Sequence, residues 1–246
     1  MLGREQESIP WLQRALAANP HAPTKQVAQV YRLLAAAYAL TGHADDAHRA
    51  ITDGDHLHHF TTVRSDVVTN ANEVAVAQNR HYMEGLRLAG LRDHADENAD
   101  FGMVSDGKLH RDLEGYTPTT VPGATTIRTA GLVPFLVQFK PILIGGVLHY
   151  LDRSIPGAIG LRRSGLGGDF SDSAQNRLRT KMLELTKGDM SAPIVAVGWS
   201  SERFDGYNLT LRLVALGYTK VYWYRGGREA WEVAGLPETK LELQDW

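Results

Sequence analysis

Cysteine is missing from all 246 residues of the chain. Disulfides, cysteine-type zinc sites and thiol catalysis are excluded with it. An excess of charge is missing too: 26 Lys and Arg stand against 28 Asp and Glu, a formal net charge of −2 with no long basic block. That leaves no electrostatic footprint for nucleic acid, and no such partner is expected. Long apolar runs are also lacking. The nearest, 131–147, is broken by Pro134, Gln138, Lys140 and Pro141, so no membrane span is expected. The N-terminus carries no basic–apolar–small leader pattern, which makes the cytoplasm the expected location. What remains is 43% hydrophobic and 22% charged, ordinary for a globular protein, and its length suits two modest domains.

The first 60 residues read as helical and repetitive. Gly3, Ser8, Leu12, Ala15 and Pro20 stand at offsets 0, 5, 9, 12 and 17, and Gly42, Ala47, Ile51 and Gly54 repeat the first four of these, with Ala35 and Tyr38 upstream. These offsets resemble the tetratricopeptide repeat, in which small residues let paired helices pack closely and a proline ends the second. Gly3 and Gly42 are 39 positions apart, longer than the standard repeat of about 34, with the surplus in 21–26. Ser8 replaces the usual alanine, and Met1 falls inside a repeat. A helix bearing Ile9, Leu12 and Leu16 then needs cover. The preferred expectation is that the chain is the C-terminal piece of a longer array; the alternative is that 67–88 folds back over that helix. A last helix is expected over 74–91, stopping near Gly90. The resemblance implies a protein partner docked on this segment.

Periodicity dissolves over 92–123. Asp93, Asp96, Glu97, Asp100 and Asp106 accompany scattered glycines, followed by the proline-bearing 117–123. This composition predicts a linker or an extended wrap between a helical domain, 1–91, and a second domain, 124–246. Beyond it, apolar strand runs at 125–128, 141–144, 194–197 and 221–224 alternate with helical stretches, and 154–161 reads as a turn leading into a further strand. The helices are expected over 130–139, capped by Thr129 with Pro134 in its first turns, from Ser171 or Asp172 to about 185, and over 205–216. The alternation predicts an α/β domain whose parallel sheet is covered on both faces.

Three blocks in that domain resemble the rhodanese family: Ser154-Ile-Pro-Gly-Ala158, the strand–loop–helix over 194–216, and Gly226-Gly227, Trp231 and Gly235-Leu-Pro237. The likeness runs from about 117 to 237. It implies a rhodanese-like parallel sheet with helices on both faces, preceded by an all-α tetratricopeptide-like segment. The stretch 83–91 is also similar to the tail of repeat arrays in rhizobial-type proteins described as adenylate cyclases, although no cyclase catalytic domain lies in the chain. In active rhodaneses a cysteine opens the loop Cys-x-x-Gly-x-Arg after the fourth strand. Here Gly198 stands at the cysteine position, Ser201 at the loop glycine and Arg203 at the arginine, while Gly145 replaces an aspartate common after the second strand. The scaffold is kept and its sulfur nucleophile is lost, so no catalytic residue is expected.

The same loop, Gly198, Trp199, Ser200, Ser201, Glu202 and Arg203, is the expected site of a small anion, gripped by backbone N–H groups, a helix N-terminus and a guanidinium. The plainer alternative pairs Arg203 with a surface acid. A serine nucleophile at Ser200 or Ser201 would need a base, and Glu202 and Asp205 suit helix capping better. His56, His58 and His59 are adjacent, not at helical ligand spacing, and His43 and His48 add no ligand pattern, so no metal and no cofactor are expected. Tyr222, Trp223 and Tyr224 alternate across a strand and read as core. Gly165-Leu-Gly-Gly168 lacks the Gly-Lys-Ser/Thr ending of a phosphate loop and reads as a connection. The function expected is a non-catalytic binding or regulatory module. The competing expectation is an enzyme component, related to sulfurtransferases or associated with an adenylate cyclase, acting with a separate catalytic partner.

Overall fold

The structure, a computed structural model, describes residues 3–19, 21–59, 62–66, 72–146 and 153–246. The chain divides into two compact units, Met1–His94 and Ala95–Trp246. In the first, α1 (Glu5–Ala18), α2 (Thr24–Leu40), α3 (Ala44–Leu57) and α4 (Glu73–Leu88) are joined with a short 3-10 turn, Val63–Asp66. Alanines make the close packing: Ala35 and Ala37 of α2 and Ala47 and Ala50 of α3 are buried in one cluster with Ile9, and Leu12 and Leu16 pack beside it. The apolar stripe of α1 is thus covered within this unit. The last helix begins where Asn72 accepts the Ala75 N–H at 2.9 Å, a side-chain N-cap. It reaches α1 through His81, whose ring nitrogen lies 2.8 Å from the Glu5 carboxylate. The alternative in which 67–88 folds back over α1 is met only at this contact: α4 packs instead on α2, with Leu86 beside Ala28 and Ala36, while α2 and α3 cover the α1 stripe; 67–71, like Pro20, lie outside the described residues.

The second unit is built on β1 (Thr125–Ile127), β2 (Ile142–Gly145), β3 (Arg153–Ser154), β4 (Ile159–Gly160), β5 (Ile194–Val197), β6 (Val221–Tyr224), β7 (Thr239–Lys240) and β8 (Glu242–Leu243). Six of them form one sheet in the order β1-β6-β5-β2-β4-β8, and every pair in it is parallel. A small antiparallel pair, β3 with β7, stands apart from it. Four helices accompany the sheet: α5 (Thr129–Phe139), α6 (Ser173–Thr186), α7 (Asp205–Ala215) and α8 (Gly227–Val233).

Period-two side-chain alternation sorts the strands into two cores. Ile144, Ile194, Ala196 and Val221 face Leu178 and Met182 of α6 and Leu209 and Leu213 of α7. Their neighbours Leu143, Val195, Val197 and Tyr224 face Leu132 of α5 and Trp231 of α8. Burial on both faces is why these strands read as unbroken apolar runs. Trp223 falls into a third cluster with Phe204, Tyr207, Leu211, Leu113 and Val121, so the aromatic triplet is core, as its alternation implied.

Two details differ from the sequence reading. Thr129 opens α5 instead of capping it, and its hydroxyl lies 2.6 Å from the Tyr224 hydroxyl. The cap comes from far away in sequence: the Glu97 carboxylate accepts the Thr129 N–H at 3.0 and 3.1 Å. At α6 the expected cap is found in Asp172, which accepts the Gln175 N–H at 2.8 Å.

Asp172 also meets Arg212, a fully buried side chain of α7, at 2.7 and 2.9 Å. Arg212 donates besides to the Leu166 carbonyl at 3.0 Å and to Gln175 Oε1 at 3.1 Å, so its charge is compensated on several sides. The Arg212 hydrogen bond, helped by the Gln175 amide and opposed by burial, holds the Asp172 carboxyl down to about 2. Its folded pKa lies below the unfolded value, so the stabilisation is present above about pH 4 and is lost as pH falls toward about 2. Asp172→Asn, which keeps a capping oxygen, is expected to cost roughly 2 kcal/mol at neutral pH. Urea melts of both proteins should show that gap closing below about pH 4; a gap independent of pH would refute the pairing as its source.

Candidate functional site

The chain leaves β5 at Val197, makes the loop 198–204 and enters α7 at Asp205. A tight turn is set by one carboxylate. Asp205 accepts the Trp199 N–H at 3.1 and 3.2 Å and its own neighbour's, Gly206, at 3.0 Å. Asp205 is buried, and it occupies the position at the helix N-terminus where the helix dipole and open amides favour an anion.

This arrangement dictates Gly198. A Cβ there would lie 2.5 Å from the Gly206 nitrogen and 2.7 Å from Asp205 Oδ1, closer than carbon atoms approach such groups. From the other side, α8 closes over the loop: the Arg228 N–H donates to the Gly198 carbonyl at 3.0 Å and the Glu229 N–H to the Trp199 carbonyl at 2.9 Å. Gly227 makes that approach with φ +59, and a Cβ on it would sit 2.5 Å from the Trp199 carbonyl carbon. The glycines at 198 and 227 thus belong to one close-packed backbone knot.

Of the segment 92–123, expected as a linker or a wrap, the part from Ala95 onward belongs to this unit and crosses the loop. The Phe204 N–H donates to the Leu113 carbonyl at 2.8 Å, the Gly115 N–H to the Glu202 carbonyl at 3.0 Å, and Thr117 donates from its N–H and hydroxyl to the Ser201 carbonyl at 3.2 and 2.6 Å. Glu114 and Arg203 form the bridge between them, antiparallel. Arg225, at the end of β6, ties the strap down. Its buried guanidinium donates to the carbonyls of Glu97 and Ala99 at 2.8 Å each and of Thr117 at 3.0 Å. Burial pushes the Arg225 pKa down and Arg128 adds to this, while Asp100, Asp96 and Glu202 oppose it.

The six expected site residues are brought together, but not as an open pocket. Gly198, Ser200, Ser201 and Glu202 are buried, Trp199 and Arg203 half-buried. The Ser201 hydroxyl donates to the Asp96 carbonyl at 3.0 Å, and the Ser200 hydroxyl oxygen accepts the Glu202 N–H at 3.3 Å. A backbone carbonyl cannot act as the base that a serine nucleophile requires. Arg203 stands 3.7 Å from Glu114, the acid-pairing alternative. Of the amides expected to hold a small anion, that of Trp199 is taken by the Asp205 carboxylate, that of Glu202 by the Ser200 hydroxyl and that of Arg203 by the Ser200 carbonyl at 3.3 Å. Sequence reasoning gave Asp205 a capping role but missed Glu97, Thr117 and Arg225, whose partners lie about a hundred residues away. The signal for Arg225 was a charged residue closing an apolar strand opposite an acidic stretch.

Residues 147–234 match the rhodanese-like domain. The matched stretch takes in the loop and α8 but leaves out β1, α5 and β2. Among solved structures, a thiosulfate sulfurtransferase from Pseudomonas aeruginosa is similar at 16% identity and a TM-score of 0.37, over 50% of this chain and 22% of that one. The chain therefore spans about a fifth of that relative's length. No curated protein matches the chain. Among the described residues, no helix is long and apolar enough to cross a membrane.

Two outcomes test this site. Gly198→Ala should destabilise the second unit by about 1–3 kcal/mol through overpacking, read as a lowered thermal midpoint. Arg225→Met, which leaves three carbonyls without their donor, should raise amide hydrogen exchange across 95–117 by about tenfold or more while the sheet core stays protected.

Proposed function

We propose that the chain is a non-catalytic, rhodanese-type binding module acting in the cytoplasm, with its helical unit as a docking surface for a protein partner. The observation that carries the reading is the carboxylate of Asp205 lying under the loop amides, with Gly198 at the family's cysteine position and no room for a Cβ. Sulfur transfer needs a thiolate to attack the sulfane donor and hold the persulfide, and the chain has no sulfur nucleophile to offer. Support for the docking role comes from the alanine-lined packing of α2 and α3, the feature that suggested tetratricopeptide-like repeats, and from Trp11, which is 69% exposed on α1.

The experiment is a thiosulfate–cyanide assay on the purified chain and on Gly198→Cys. The expected result is no thiocyanate above the protein-free rate from either, with the variant melting lower because its Cβ meets the Gly206 backbone. Thiocyanate formation by the unmodified chain would overturn the non-catalytic reading. Activity in a stably folded Gly198→Cys would show instead that only the sulfur was missing.

A further inference from the structure

A second place in the α/β unit concentrates positive charge. Beyond β4, Leu161 leads into Arg162 and Arg163; beyond its parallel neighbour β8, the chain continues to Trp246. The ladder extends one step past the strand, with the Gln244 N–H donating to the Gly160 carbonyl at 3.1 Å. Both segments thereby emerge side by side at the carboxyl ends of parallel strands, where open α/β sheets hold their ligands. The first turns of α6 close the third side and bring in Arg177. The result is a cavity of about 440 Å³, bounded by the three arginines, by Trp246, and by Leu166 and Ala174.

Its walls are fixed more firmly than its charges are neutralised. Trp246 donates its indole N–H to the Arg162 carbonyl at 3.0 Å, and the Arg177 guanidinium lies 4.8 Å over the ring. Arg163 takes a left-handed backbone, φ 67, and its carbonyl accepts the Leu166 N–H at 3.2 Å. Arg162, Arg163 and Arg177 are exposed, and among the described residues none of the three forms an ion pair. Two carboxylates border the cavity. Asp172 is already bound by Arg212, so of the lining side-chain carboxylates Asp245 is the one left to set against three guanidinium groups. The first-turn N–H groups of α6 add to the same sign of potential.

We propose that this cavity binds a small organic phosphate. Guanidinium groups grip a phosphate through paired, charge-assisted N–H donors. The volume exceeds what an inorganic ion needs, and the Trp246 ring with Leu166 and Ala174 offers apolar surface to an organic body. The site is separate from the 198–206 loop and does not depend on the reading given for it.

The test uses the full chain and two probes, adenosine monophosphate and inorganic phosphate, with the Trp246 indole N–H resonance as reporter, assigned by its loss in Trp246→Phe. The nucleotide is expected to shift that resonance saturably with a dissociation constant below about 1 mM, and phosphate more weakly. The double variant Arg162→Ala, Arg163→Ala should weaken the nucleotide by about tenfold or more. Arg179→Ala, an exposed arginine of α6 outside the cavity, removes one positive charge without touching the cavity and should leave binding unchanged. Shifts that never saturate and equal those from sodium chloride of matched ionic strength would overturn the proposal. So would a double variant that binds as the unmodified chain does while keeping its melting temperature. A nucleotide no tighter than phosphate would overturn the organic ligand.

Discussion

The carboxylate of Asp205, held by the amides of Trp199 and Gly206, fixes the rest of the second unit around it. A loop that turns from a parallel strand into a helix gathers N–H groups at the helix N-terminus, and such groups need an acceptor. When the chain supplies that acceptor itself, the turn tightens until the backbones at 198 and 206 touch, and no side chain fits at 198. Nothing then has to enter the loop, and its outer edge is free to pair with another segment. The strap over 113–117 takes that edge, and α8 takes the carbonyls of Gly198 and Trp199.

Arg225 works as the counterpart of that carboxylate on the strap side. Its direct partners are mostly neutral carbonyls, which alone compensate poorly for burying a cation. The acids Asp96 and Asp100, with Glu202 of the loop, supply the missing potential. The acids Asp96 and Asp100 are thus explained by the cation they lie against. Glu97 serves two elements at once, its carbonyl on Arg225 and its carboxylate on the first amide of α5. Removing the strap would uncover both a buried cation and a helix end, and this is why a stretch without regular secondary structure behaves as part of the fold.

What the sequence made legible follows from range. Strands buried on both faces show as apolar runs, and β5 and β6 were expected over the spans they occupy; α6 and α7 begin where Asp172 and Asp205 imply. These signals are local, written within a few residues. The fold class was legible for the same reason. The state of the loop was not, because it depends on Leu113, Gly115 and Thr117, about ninety positions upstream, and no short-range pattern distinguishes an amide awaiting a ligand from one already satisfied. The capping of α5 failed on the same ground: Thr129 is a good cap by type, but Glu97 reached the amide first. β8 is two residues long and too short to carry a period.

A loop open at position 198 would leave room for a side chain, with its amides turned toward an empty centre. Here the room is filled from three directions, by Gly206 and Asp205 against position 198 and by Gly227 against the carbonyls beyond it. A side chain added at 198 would have to displace the Gly206 backbone and not only a flexible side chain, so the closure of this turn is what requires glycine there.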